Sequence, residues 1–240
     1  MKVRVAYIEE PPFYWTNADG VVTGSDIELA DVVLRAIGVT SIEYQPTSFE
    51  ELLPGVQDNR WDMNVPIFVT AGRAAHVAFS VPVWALGDGF VVHAGNPKAL
   101  TGYAALAQHG DARIGLINGQ VQIDSAKSAG VRDDQITMFK DQPEAIAALL
   151  AGKIDAFAGT ALGNRAIAGS NKELEAVAHD MSKETAVPVG AFSFNKSNHA
   201  LLQAVNEQLR QYLGSADHRA RMVKFGLTDA EIDSVAAVKR

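Results

Sequence analysis

The stretch Phe49-Glu-Glu-Leu-Leu-Pro-Gly-Val-Gln-Asp-Asn-Arg-Trp-Asp-Met-Asn64 returns in altered form as Gln142-Pro-Glu-Ala-Ile-Ala-Ala-Leu-Leu-Ala-Gly-Lys-Ile-Asp-Ala-Phe157. Each copy reads as an amphipathic helix, a tight polar turn, an apolar residue followed by Asp, and a short apolar strand. Leu53 and Val56 match Ile146 and Leu149 on the apolar face, and Trp61-Asp62 matches Ile154-Asp155. A helix–strand unit used twice in one chain implies two similar α/β lobes. Open α/β sheets bind ligands beyond the carboxyl ends of their strands. Two such lobes facing each other make a cleft, and the function is expected there.

Composition agrees with two lobes. The chain has 240 residues, 48% hydrophobic and 20% charged, which is ordinary for a globular protein with sizeable cores. The net charge of −7, with signs mixed along the chain, argues against nucleic acid or an anionic membrane surface as partner. With no Cys, disulfides, thiol catalysis and Cys-based metal sites are excluded. The six His show no metal-ligand spacing, and His76 and His218 read as surface residues. No phosphate loop, nucleophile elbow or zinc motif occurs, so no metal or cofactor is expected. No apolar run reaches the length of a membrane span. Residues 1–8 already read as a strand, so any secretion leader is expected to lie outside this chain.

The pattern along the chain alternates strands and helices. Strands are expected at 3–8, 21–22, 42–44, 62–66, 77–79, 83–85, 89–93, 112–117, 136–139 and 186–194. Helices are expected from a cap at Ser25 or Asp26 to residue 37, at 49–58, 103–108 and 122–129, in the first part of the second repeat copy, and at 161–168, 198–213, 218–225 and 229–235. Without a low-complexity linker, the lobes are expected to be joined by strands crossing near 89–94 and 187–193. That places lobe 1 at 1–91 plus 190–240 and lobe 2, inserted and hinge-linked, at 92–189.

The order and spacing of several short motifs carry a resemblance. They are Arg4-Val-Ala-Tyr7, Gly24-Ser-Asp-Ile-Glu-Leu-Ala30, Phe49-x-x-Leu-Leu-Pro54, Trp61-Asp62, Val69-Thr-Ala-Gly-Arg73, Phe79-Ser80, Ile114-Gly-Leu-Ile-Asn-Gly119 and Gly152-Lys-Ile-Asp155. Together they resemble the type II periplasmic substrate-binding proteins of ABC transporters, the amino-acid-binding group, over nearly the whole chain. The resemblance implies a two-lobed α/β fold with mostly parallel sheets. It also implies a monomeric, periplasmic or lipid-anchored extracytoplasmic receptor that hands a small zwitterion to a membrane permease and is not an enzyme. Two alternatives stay open: a cyclohexadienyl-dehydratase-like enzyme on the same fold, with Glu10 as the candidate acid, and the input domain of a sensor.

Carried over by position, Arg73 lies where the family holds the ligand carboxylate, a group that a guanidinium fork matches bidentately. Phe49 lines the ligand, and Phe13 or Tyr14 stacks on it from the first-strand loop. Gly119 to Gln122 matches the helix start of the second lobe, whose N–H groups suit an anion. Two departures bear on the ligand. The stretch Val65-Pro-Ile-Phe68 replaces small polar residues and runs one residue short between Asp62 and Arg73. The second lobe reads Ala156-Phe-Ala-Gly-Thr160 where amino-acid binders carry an Asp for the ligand ammonium. An aromatic set of Phe13, Phe49 and Phe68, with Glu10 as counter-charge and Thr160 nearby, would instead favour a delocalised or alkylated cation. This arrangement is similar to that of the ectoine and hydroxyectoine binders of the same family. Asp62 and Asp155, at the starts of their strands, read as structural.

Overall fold

The alternating residues that open the chain form β1 (Lys2–Tyr7), with Val3 and Val5 buried. The computed structural model describes residues 1–180 and 187–236. After β1 come β2 (Trp15–Thr16), β3 (Val22–Thr23), α1 (Ser25–Ala36), β4 (Ser41–Pro46), α2 (Phe49–Gln57), β5 (Met63–Phe68), α3 (Ala71–Ala74), β6 (Ala78–Phe79) and β7 (Trp84–Ala85). The next segment holds β8 (Asp88–His93), α4 (Tyr103–Gln108), β9 (Ile114–Ile117), α5 (Gln122–Ser128), β10 (Ile136–Phe139), α6 (Gln142–Leu150), β11 (Ala156–Thr160), α7 (Ala161–Ser170) and β12 (Leu174–Ala178). The chain then returns through β13 (Val189–Phe194), α8 (His199–Tyr212), α9 (Ala216–Val223) and α10 (Asp229–Ala236).

These elements fall into two compact units, Met1–Leu86 with Pro188–Arg240, and Gly87–Val187. The sequence reading drew the boundaries a few residues later, at 91 and 189, with strands crossing between lobes. β8 pairs along its whole length with β11 and β12 inside unit 2, while β13 pairs with β5, β6 and β7 inside unit 1. The chain passes between units just before each of them. The extended reading of Ala186, at the start of that return, lies outside the described residues.

Both sheets are wound alike. In unit 1 the order is β4-β1-β5-β13-β6, with β7 also on β13. Here β1 runs parallel to β4 and β5, and β13 runs antiparallel to β5. In unit 2 the order is β10-β9-β11-β8-β12. Here β9 runs parallel to β10 and β11, and β8 runs antiparallel to β11. In each, the first parallel strand lies between the second and third, and an antiparallel strand follows the third. The core of unit 2 gathers Phe90, Val92, Leu106, Ile114, Leu116 and Ala156 between this sheet and its helices.

The repeated stretch has the same atomic logic in both units. Each helix ends on a left-handed residue, Asn59 (φ 56°) after α2 and Gly152 (φ 67°) after α6. The next N–H then reaches back to a helix carbonyl, Arg60 to Gly55 at 2.8 Å and Lys153 to Ala148 at 2.9 Å. The following aspartates do one job. Asp62 Oδ2 accepts the Arg4 N–H at 2.8 Å, and Asp155 Oδ2 accepts the Arg113 N–H at 2.8 Å. In return, each Asp N–H donates to the carbonyl of that same Arg, at 3.0 and 2.8 Å. Each clip joins the start of the third strand to the start of the first.

Pro66 sits inside β5, where an amide donor is normally required. The register between β5 and β13 shifts there: Ile67 faces Ala191 and Asn64 faces Ser193. Two residues, Val65 and Pro66, therefore stand against Phe192 alone. A bulge absorbs the missing donor.

Three local expectations change. The cap of α1 is Gly24, not Ser25 or Asp26. At Gly24 (φ 131°) a Cβ would lie 2.2 Å from the Phe13 carbonyl oxygen, so only glycine fits. Ser25 and Asp26 enter the helix, and their N–H groups donate to the carbonyls of Pro12 and Phe13 at 2.9 and 3.0 Å. β12 was not anticipated, because Leu174–Ala178 is a half-buried edge strand that carries a charge. His218 is buried rather than on the surface. Its Nδ1 accepts the Gly214 N–H at 3.0 Å, and its ring meets Tyr212 edge-on.

Candidate functional site

In unit 1, the carboxyl ends of β1, β4 and β5 point the same way, because the three strands are parallel. The residues that follow those ends are the ones singled out from the sequence. Glu10, Phe13 and Tyr14 follow β1, Phe49 opens α2 after β4, and Phe68 ends β5 shortly before Arg73 in α3. Thr70 caps α3 by accepting the Arg73 N–H at 3.2 Å, which fixes the backbone from which the guanidinium projects. The guanidinium donates to the Phe68 carbonyl at 2.7 Å and stands over the Phe49 ring, 5.1 Å from its centroid. An arginine so held has its fork oriented before any ligand arrives.

Phe13, Tyr14 and Phe68 form a connected aromatic set through Trp84. Phe68 meets Trp84 edge-on at 5.1 Å, Phe13 lies 5.8 Å from Trp84, and Phe13 lies 6.0 Å from Tyr14. Trp84 was not among the candidates. It comes from β7, distant in sequence, and only the sheet brings it here. Glu10 is largely buried; its N–H and carbonyl pair with Tyr14 in a tight bridge. Burial raises the Tyr14 hydroxyl well above its ordinary pKa, the charges of Glu10 and Asp26 add to this, and Arg73 opposes it. Beneath the set lies Asp26, also missed in the sequence. Its carboxyl accepts from Trp84 Nε1 at 3.2 Å and from Ser25 Oγ at 3.4 Å. Burial pushes its pKa up to about 8, so at neutral pH it is largely a neutral acid.

In unit 2, β9 and β11 are parallel, and β8 begins where β11 ends: Thr160 faces Asp88 in register. Gly119 (φ 81°) turns the chain out of β9, and α5 starts at Gln122. Thr160 caps α7, its Oγ1 accepting the Gly163 N–H at 3.1 Å. Gln122 Nε2 donates to Asp88 Oδ1 at 3.2 Å, and the Tyr103 hydroxyl donates to Asp88 Oδ2 at 2.7 Å. His179 packs edge-on against Phe90 and Tyr103, at 4.4 and 4.9 Å. Burial pulls its pKa down to about 4 and raises Tyr103 far above its usual value, so the ring is neutral and the phenol protonated at pH 7. Burial also lifts Asp88 to about 6 against the pull of its three donors, Tyr103, Gln122 and the Gly89 N–H.

The structure thus gathers Glu10, Phe13, Tyr14, Phe49, Phe68 and Arg73 at one end of the unit 1 sheet. It gathers Gly119, Gln122 and Thr160 at the corresponding end of the unit 2 sheet. Asp88 went unseen because its strand carries no motif; its pairing opposite Thr160 was the only signal, and that is a tertiary one. Among the described residues, no group of three or more His, Asp or Glu is placed to hold a metal ion, and no helix is long and apolar enough to cross a membrane.

Two alike sheets, each with polar and aromatic residues at the carboxyl ends of its parallel strands, define a two-lobed binding-protein fold of the type II periplasmic class. Residues 3–225 match the bacterial extracellular solute-binding proteins, family 3, and the chain belongs to that family. It is 28% identical over 243 residues to the probable amino-acid ABC transporter periplasmic-binding protein y4tE of Sinorhizobium fredii, covering 98% of this chain and 79% of that one. The crystal structure of EhuB in complex with hydroxyectoine superposes with a TM-score of 0.87 at 26% identity, over 97% of this chain and 91% of EhuB. An ancestral arginine-binding protein bound to arginine superposes with a TM-score of 0.82 at 23% identity, over 94% of this chain and 98% of that one.

Proposed function

We propose that this protein is the solute receptor of an ABC importer and binds a small zwitterion that carries a carboxylate. The observation that carries the reading is the oriented Arg73 fork, over Phe49 and beside Phe68, at the carboxyl end of the unit 1 sheet. Arg73 holds the ligand carboxylate. Phe13, Tyr14, Phe49 and Phe68 supply aromatic surface, and Glu10 supplies a counter-charge. Gly119, Gln122 and Thr160 are the contribution of unit 2. Aromatic faces attract cations whose charge is spread over carbon-bearing groups, so ectoine-like or betaine-like solutes are preferred to common α-amino acids. The similarity to EhuB supports this choice, and the similarity to y4tE supports an amino-acid-type importer.

The receptor performs no chemistry on its ligand, acts as a monomer outside the cytoplasm, and delivers to a membrane permease. The test is calorimetry with hydroxyectoine, arginine and glutamine. Binding of at least one, lost in Arg73→Ala, is expected. No heat with any of the three overturns the reading. An enzyme on this fold remains the runner-up, and incubation with prephenate or arogenate separates the two. Unchanged compound by NMR is expected of a receptor.

A further inference from the structure

We infer that Asp88 is the anionic contact that unit 2 offers to the cationic end of the bound solute, an inference that rests on the receptor reading above. β11 has no acid at its carboxyl end; its last residues are Gly159 and Thr160. The neighbouring strand supplies one, because β8 runs antiparallel and its first residue, Asp88, faces Thr160. Asp88 therefore stands at the end of the sheet where ligands of open α/β folds bind. Gln122, which follows β9 at that same end, holds one of its oxygens at 3.2 Å.

The chemistry of the site is that of a prepared but uncompensated charge. Tyr103 and Gln122 each fix one carboxylate oxygen, and the Gly89 N–H adds a third donor. All three donors are neutral. Among the described residues, no Lys or Arg forms an ion pair with Asp88. His179, whose ring packs against that of Tyr103, is held neutral by burial. Neutral donors orient a carboxylate without cancelling its charge, and a largely desolvated charge calls for a partner of opposite sign. Asp88 is only partly buried, so such a partner can reach it. Asp26 is the instructive contrast: deeper, and protonated at neutral pH, it needs no cation.

The test is Asp88→Asn, which keeps the shape and an acceptor for Tyr103 while removing the charge. Calorimetry uses hydroxyectoine, arginine and glutamine at pH 7.5 and pH 5. The wild type is expected to bind one of these probes at least tenfold more tightly than Asp88→Asn at pH 7.5. That gap is expected to narrow at pH 5, where Asp88 is protonated while Tyr103 stays protonated and His179 stays neutral; Gln122 and Thr160, the other side chains around it, do not titrate. The melting temperature of Asp88→Asn is expected to equal or exceed that of the wild type, which separates lost charge from lost fold. Tyr103→Phe, which removes a donor and leaves the charge, is expected to lose only a few-fold. Equal affinity of wild type and Asp88→Asn for a probe that the wild type binds overturns the inference and leaves the receptor reading standing. A wild type that binds none of the three overturns the receptor reading, and the inference with it.

Discussion

Arg73 owes its readiness to two neighbours of ordinary kind, a threonine that caps its short helix and a carbonyl that takes one arm of its fork. Removing one partner of a desolvated charge pair typically costs roughly 2–5 kcal/mol. Arg73→Ala is expected to weaken solute binding by that amount, and calorimetry with unchanged affinity would refute the assignment. Arg73→Lys is also expected to bind worse, because an ammonium cannot present the planar fork. Asp26 makes a different prediction. A carboxyl whose folded pKa is raised stabilises the fold while it is protonated; this contribution is complete below its unfolded pKa and is lost as the pH rises through the folded value, about 8. Between pH 6.5 and 8.5 the wild type is therefore expected to lose roughly 2 kcal/mol and several degrees of melting temperature that Asp26→Asn retains. Comparing the two proteins above pH 6.5 isolates Asp26 from Asp88, which titrates lower. Parallel melting curves for the two would contradict the buried-acid account. Arg73 was singled out by the position of Thr-x-x-Arg within the family resemblance, and it lies in α3 just after β5. Asp26 was not, since its role depends on Trp84, which no local pattern links to it.

The repeated helix–turn–strand is the element on which the molecule is built twice. Its turn needs a left-handed residue, and Asn59 and Gly152 provide one by different means: an Asn tolerates the conformation, and a Gly has no Cβ to clash. Its aspartate clips the third strand to the first in each sheet. Asp62→Ala and Asp155→Ala are each expected to cost roughly 1–3 kcal/mol by stranding the N–H of Arg4 or Arg113. Because each clip lies within one unit, the damage is expected to be local. Hydrogen exchange should quicken around β9 and β11 in Asp155→Ala, and around β1 and β5 in Asp62→Ala. Exchange that rises equally in both units in either variant would show that the clip is not what secures its own sheet. The element was legible because its apolar spacing and its Trp-Asp or Ile-Asp ending are local. β12 and the bulge beside Pro66 were not, since each exists only through a partner strand.

For the whole molecule, the ligand preference is the sharpest expectation. A solute that binds only the folded state raises the melting temperature according to its affinity. Hydroxyectoine is expected to shift the melt more than glutamine or histidine. A strong shift with either amino acid and none with hydroxyectoine would replace the aromatic-box reading with a plain amino-acid receptor. The duplication, the mostly parallel α/β character, the family, and the residues following β1, β4 and β5 that gather at one end of unit 1 could all be read along the chain. Those follow from hydrophobic period, turn residues and motif order, all short-range along the chain. That β8 lies wholly in unit 2, that Trp84 joins the aromatic set, and that Asp88 stands opposite Thr160 emerge from the folded chain and not from any local pattern. The physical reason is that antiparallel strands are paired by sheet topology: which residue meets which is set by register and core packing across long stretches of chain, and no local pattern encodes it.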